Sequence, residues 1–485
     1  MSRGRGPGTS LLLGALVISA AVSMVTACRR PTEEASGADA SPASSTSSAG
    51  AVASAVPAPP ADRWSEAGML AEAALYLDNA DFRRATLLES LTNHKNTYSR
   101  QRLDAYALKT KGWDLLPAWN PQSIAITTAM AGDLRAKREL TIPQGTAPLW
   151  DGKRPTTMAE WVKLGQDVFE GYPLRSEVTL RWALENGAVG ERVGVRPNEA
   201  GVYPGVRLFT NVDGKVVLGI TCAMCHTSVD ARGVATKGEA RRSFDYGALR
   251  AAYHKATNTF VDPDLLRRMH TWGPGRADVT EDDDEDPVAI PDLWGLRHQT
   301  VLTQAGTIKH VGPTALAIRQ ETQILHSNHQ KIRPPRELAW ALSMYLYSLT
   351  PPARVASASM PAPDPKAVAH GQELFGRQCK KCHSNEALGG PAAPAELIGT
   401  DRSLATGGAR GTGKYRPPAL IRVAAAAPYF HHGAVPTLED VLSPARLEPS
   451  YTKGTLAKGA VPGHTYGTDL SAEDRSAIVA YLRTL

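Results

Sequence analysis

A chain of 485 residues with 54 lysines and arginines against 48 acidic residues carries a formal charge of +6. That balance is too mild, and too free of Lys/Arg clusters, for a nucleic-acid-binding protein. Of only five cysteines, four sit in two CxxC pairs, which turns attention to redox or metal chemistry.

The start reads as an export signal. Arg3 and Arg5 precede an apolar run from Leu11 to about Val25, too short to span a membrane and suited to a cleaved signal. It ends in "VTAC", which resembles a bacterial lipobox. Residues 1–27 are therefore expected to be a lipoprotein signal peptide, with Cys28 acylated as the first mature residue; an ordinary secretory signal is the alternative. Acyl chains would hold the protein on a membrane surface, facing the periplasm or the cell surface, without a spanning helix. Residues 28–63 are rich in Ala, Ser and Pro and read as a disordered tether. Residues 64–157 follow, where "EAGMLAEAALYLDNADFRRATLLESL" has helical period. This N-terminal helical region is expected to cap the next unit.

That unit spans residues 158–350. "GQDVFEG" begins at Gly165, and "RLFTNVDGKVVLGI" reads as a β-hairpin turning at Asp213-Gly214. "CAMCH", Cys222 to His226, follows. "IPDLWGLRHQTVLTQAG" and the helical "RELAWALSMYLYSL" close the unit. The acidic run Thr280–Asp286 reads as a solvated loop, with a calcium site as the alternative because Asp oxygens suit that ion. A Pro/Ala/Ser linker, 351–366, leads to a second unit, 367–485, built in the same order. "GQELFGR" from Gly371 echoes the first opening, and "CKKCH" carries Cys379, Cys382 and His383. "RPPALIRVAAAAPYFHHG" echoes the middle stretch, and the final helix aligns Tyr481 with Tyr345. Pro291 to Gly306 and Pro418 to Gly433 are each 15 residues apart. The chain is read as one fold written twice.

Two CxxC pairs in an oxidising compartment suit redox disulfides or one four-cysteine zinc site. Neither explains a histidine after both pairs. Covalent haem does: Cys222 and Cys225, and Cys379 and Cys382, would each add to the vinyl groups of one haem c. His226 and His383 would be the proximal iron ligands. Gly371 and Phe375, one turn apart, resemble the first helix of class I cytochromes c, where the small residue admits a crossing helix. The expected fold is mainly α: two tandem class I cytochrome c-like domains, the first with insertions including the hairpin, plus the N-terminal helical region.

From about residue 158 the chain resembles the bacterial di-haem cytochrome c peroxidase superfamily, which includes the enzyme that matures the tryptophan tryptophylquinone cofactor. "LGQDVFEGYPLRS…ITCAMCH" and "APYFHHGAVPTLEDVL" carry the resemblance. It implies a Met ligand to the second haem near Ala445, yet no Met follows Met360. It also implies a Gln and Glu that work on peroxide; Gln320 and Glu321 have the chemistry without the surrounding pattern. Glu321 is the catalytic candidate, weighed against a solvated helix residue. For the second haem's distal ligand His464 leads, with His431 and His432 competing. For the first, Met269 and His326 lead among Met269, His270, His310, His326 and His329. Electron transfer is favoured over peroxide reduction or protein oxidation because the catalytic pattern is missing. A redox protein or a quinone-linked donor is the expected partner.

Overall fold

The computed structural model describes residues 56–278, 286–352 and 362–485. Cys28, the calcium reading of the acidic run at 280–285, and linker residues 353–361 lie outside the described residues. Among the described residues no helix is long and apolar enough to cross a membrane.

Two helix crossings of the same geometry organise the chain. Helix Met158–Gly171 starts at a Thr157–Glu160 capping box and buries Trp161, Leu164, Gly165, Val168 and Phe169. It lies against helix Arg336–Ser348. Helix Pro365–Gln378, capped by Asp364 with proline in its first turn, lies against Ala472–Leu482, capped by Ser471. Each crossing is made at a glycine. A Cβ on Gly165 would stand 1.9 Å from Ala341 O, and one on Gly371 would stand 1.9 Å from Ala477 O. The aromatic pairs beside them match too. Phe169 and Tyr345 meet at 5.3 Å and 54°, Phe375 and Tyr481 at 5.3 Å and 57°.

The middle stretches repeat the parallel. Leu293 N–H donates to Gly238 O and Leu420 N–H to Ala387 O, both at 2.9 Å. Each segment then turns through a left-handed residue, Gly295 or Arg422, into a short 3-10 helix.

Gly371→Ala should therefore force the terminal helices apart, an overpacking cost of about 1–3 kcal/mol or more. Gly376→Ala, on the same helix with nothing within 4 Å of the added carbon, should instead stabilise by up to ~1 kcal/mol. Thermal denaturation of the two variants side by side checks this, and equal effects would refute the close-approach argument.

The expectation of a mainly α chain needs correction. The described residues are 42% helical and 11% strand, with several small sheets. The hairpin at Asp213-Gly214 is present as strands Val202–Thr210 and Val216–Ile220. It is the centre of a four-stranded antiparallel sheet, flanked by Ser123–Thr127 and Arg175–Ser176. The region before residue 158 is thus not helical alone, because it supplies an edge strand. Its helices Glu66–Asp78, Ala80–Ser90 and Thr97–Ala105 share one apolar core with the first crossing. Glu72, fully buried, binds Arg63 through both oxygens and accepts from Thr314 N and Oγ1, so it caps helix Pro313–Ser327.

Candidate functional site

The first CxxCH sits on a single turn, Ala223–His226, entered from the hairpin. Thr221 N–H donates to Gly205 O at 2.9 Å. Gly205 has φ +79°, and a Cβ there would lie 2.0 Å from Met224 N, so only glycine lets the strand press on this turn. Arg241, fully buried, holds the turn from below by donating to Thr227 O and Pro204 O. His226 N–H bonds Cys222 O at 3.1 Å, and its ring Nδ1 meets Pro291 O at 3.1 Å. The second motif follows helix Pro365–Gln378 directly. His383 N–H bonds Cys379 O at 3.0 Å, and its Nδ1 meets Leu388 O at 2.7 Å.

Both imidazoles are thus fixed alike. A carbonyl can only accept, so Nδ1 carries the proton and Nε2 keeps its lone pair for a metal. Burial reinforces this by lowering the pKa of His226 to about 4, against the pull of its Pro291 bond, and by lowering that of His383. Both rings are neutral near pH 7. Burial also raises the thiols, Cys222 to about 12 and Cys379 to about 11, which disfavours the exposed, low-pKa thiolate of a redox CxxC. Among the described residues no three His, Cys, Asp or Glu gather as a metal cage, so the two pairs do not form one four-thiolate zinc site.

Cys379, Cys382 and His383 line a cavity of about 300 Å³, at the lower end of the ~300–1,000 Å³ typical of cofactor sites. Its walls come from both halves of the chain: Phe375, Leu442 and Ile478 from the second, Pro291, Trp294 and Gln299 from the first. His464 lines it too; burial takes its pKa to about 4, and a charge on His383 acts in the same direction. The loop that carries His464 is held firmly. Gly463 presses on Gly399 and Thr400, His464 itself has φ +44°, and Arg446 donates to the carbonyls of His464, Val461 and Val441. Five buried atoms on these walls lack a partner: Trp294 Nε1, Gln299 Oε1, Thr400 Oγ1, Arg416 Nε and His464 Nδ1. Unanswered polar atoms around an apolar space fit a large, flat ligand with a polar rim. Haem has that shape and chemistry.

The other candidates are distributed differently. His431 also lines this cavity and stacks on Tyr415 at 4.0 Å, while His432 Nδ1 accepts from Ala434 N–H. Met269 is fully buried against Trp272 and Ala251, where it fills a small core. His326 packs edge-on against Trp113 at 5.3 Å, with Arg102 beside it. His310 bonds Tyr347 OH and Gln299 O. Glu321 is not a solvated helix residue: it is 1% exposed and accepts from Tyr76 OH at 2.8 Å and Tyr106 OH at 2.7 Å. Sequence reasoning missed Arg241, Arg416 and Arg446 altogether, since a buried arginine leaves no mark in periodicity or motif.

A family model described as RoxA-like, cytochrome c-like, matches residues 413–452. The matched segment holds the "YFHHG…TLEDV" string, Arg416 and Arg446, and supports haem-based redox chemistry. No curated protein matches the chain. Among solved structures, the chain is similar to a MauG-like protein associated with microbial copper homeostasis, at 18% identity over 44% of this chain and 78% of that one. The TM-score is 0.29, at which the likeness carries no argument.

Proposed function

We propose that the chain is a di-haem c-type electron-transfer protein built from two cytochrome c-like copies. Cys222, Cys225 and His226 would hold one haem, and Cys379, Cys382 and His383 the other. The observation that carries this reading is the shared pose of the two histidines, each tied through Nδ1 to a backbone carbonyl with Nε2 left free. Bound there, haem supplies reversible one-electron exchange. The chain's own residues do the rest. Pro291 and Leu388 orient the proximal rings, burial keeps them neutral, and the apolar walls exclude water. His464, which lines this cavity and whose buried Nδ1 has no partner, would supply a second nitrogen ligand to the group held there and favour a carrier. Acylation at Cys28 would anchor the protein in the cell envelope, with a redox protein or quinone-linked donor as partner.

Intact mass of protein purified from the cell envelope tests the proposal. The expected species starts at Cys28, carries acyl chains there, and exceeds the polypeptide by two haems. Bound zinc, or one haem, would refute the di-haem reading; an unacylated start elsewhere would refute the anchor alone.

A second reading keeps peroxide reduction or protein oxidation at the first haem. One observation favours it: Met269 and His326, its leading distal candidates, are both engaged in packing, Met269 with Trp272 and Ala251 and His326 with Trp113. An open sixth position there would admit peroxide. Titrating the half-reduced protein with peroxide separates the two, because a carrier shows no rapid reoxidation and an enzyme does.

A further inference from the structure

Away from both CxxCH turns, a phenol and an imidazole are joined as acid and base. His310 follows the short strand Ile308–Lys309, and Tyr347 lies on helix Arg336–Ser348. His310 is buried with both ring nitrogens engaged: Nδ1 faces Gln299 O at 2.9 Å, and Nε2 meets Tyr347 OH at 2.6 Å. A carbonyl only accepts, so Nδ1 carries the imidazole proton, Nε2 accepts, and the phenol donates to it. Burial keeps both groups neutral, lowering the His310 pKa to about 4 and raising that of Tyr347 well above its ordinary value. With both nitrogens so occupied, the ring is set for proton exchange with Tyr347 rather than for a metal.

A phenol that hands its proton to a base as it loses an electron is easier to oxidise, because no cationic radical has to form. The pair is also connected outward and inward. Outward, the half-buried Trp64 meets His310 at 5.1 Å and Tyr347 at 5.7 Å, edge-on to both. The Arg297 guanidinium lies 5.9 Å from the indole centre and donates to Trp64 O. A cation there disfavours a positive hole on Trp64 and leaves Tyr347 as its easier resting place. Inward, Gln299 takes the His310 bond and lines the Cys379–Cys382 cavity.

We propose that Trp64, Tyr347 and His310 form a one-electron relay between the surface and the wall of that cavity, with Tyr347 as its proton-coupled redox site. In the oxidising step the Tyr347 O–H bond breaks and its proton forms an Nε2–H bond on His310, giving an imidazolium. The electron passes through Trp64 to a strong one-electron oxidant, which is reduced by one electron, and a neutral tyrosyl radical remains. A returning electron reverses both transfers and restores the phenol. No iron takes part, so the relay stands or falls independently of the haem reading.

The test uses the full-length protein, oxidised, with photogenerated tris(bipyridine)ruthenium(III) as the oxidant and persulfate as the terminal acceptor. Radicals are read by electron paramagnetic resonance after rapid freezing. Wild type should give a tyrosyl radical whose formation slows in deuterated water. Tyr347→Phe should remove that isotope-sensitive signal and leave only what exposed tyrosines give. His310→Gln keeps the phenol but loses the proton acceptor, and should slow formation about 100-fold. Trp64→Phe should slow it too, with the radical's spectrum unchanged. A contact that merely packs residue 64 on the core would change thermal stability in these variants and leave the radical yield where it is. Equal isotope-sensitive signals in wild type and Tyr347→Phe overturn the proposal, as does a wild type that gives none. Where Tyr347→Phe does not accumulate, an undiminished signal in His310→Gln overturns it.

Discussion

Replacing His464 by alanine should, on the proposed di-haem reading, turn the haem at Cys379 and Cys382 high-spin in its oxidised state and leave the other haem's spectrum unchanged. Near-complete conversion is expected, because a sixth ligand is either present or lost. The argument is geometric. His383 and His464 share one cavity, a charge on His383 lowers the pKa of His464, and burial keeps both rings neutral, the form that ligates iron. The His464 loop is also rigid. Gly463 lies against Gly399–Thr400 so closely that a Cβ would stand 2.2 Å from Thr400 N, and Arg446 grips three carbonyls around it. A backbone held that firmly, with His464 itself at φ +44°, fixes where its side chain starts from. External cyanide should then bind the variant's second haem and not the wild type's. His464→Met should restore a low-spin centre where the thioether reaches. If His464→Ala stays low-spin, His431 takes over as the distal candidate, since it lines the same cavity, and His431→Ala should then show the high-spin change.

What the sequence shows well is what is local and repeated. Gly165 with Phe169, and Gly371 with Phe375, fall one helical turn apart, and each pairs with a tyrosine on the closing helix at the same distance. Such spacing is written directly into the chain. The hairpin was legible for the same reason, as a short turn between apolar alternations. Partners brought in from afar were not. Strand Ser123–Thr127 joins the sheet some eighty residues before the strand it pairs with, and pairing of that kind has no local signature. Helix Pro313–Ser327 is buried on almost every side by the first helix crossing and the N-terminal helices, so the rule that a polar residue on a helix is solvated fails at Glu321. The cavity wall fails similarly: Arg416 and Trp294 come from different halves of the chain, and nothing in either neighbourhood announces the other.

That buried position gives the second large effect, a loss of about 3–5 kcal/mol on Glu321→Ala. Glu321 joins three parts of the chain at once. Its Oε2 accepts from Tyr76, on the first helix, and from Tyr106, just past the third. Its Oε1 faces Arg336 at 3.4 Å, at the start of helix Arg336–Ser348, and Arg336 also meets Asp114 at 3.0 Å. Burial raises both tyrosine pKa values well above the usual range, and the Glu321 charge raises them further, so both hydroxyls stay donors. Arg336 is held charged: desolvation is the largest single influence and acts against the charge, but the combined attraction of Glu321, Tyr106, Asp114 and Tyr76 outweighs it. Alanine would strand two hydroxyls and leave a buried guanidinium with only Asp114. Against a typical total of ~5–15 kcal/mol, such a loss is large. Denaturant unfolding of the haem-loaded protein measures it. Glu321→Gln keeps one acceptor oxygen and the shape, so its loss should be smaller. The two roles of Glu321 then part cleanly. As the anchor of the N-terminal cap, it should affect stability in both variants and leave peroxide reactivity per folded molecule unchanged. As a catalytic group, it should leave Glu321→Gln fully stable and without turnover, and that outcome would return the first haem to the enzymes.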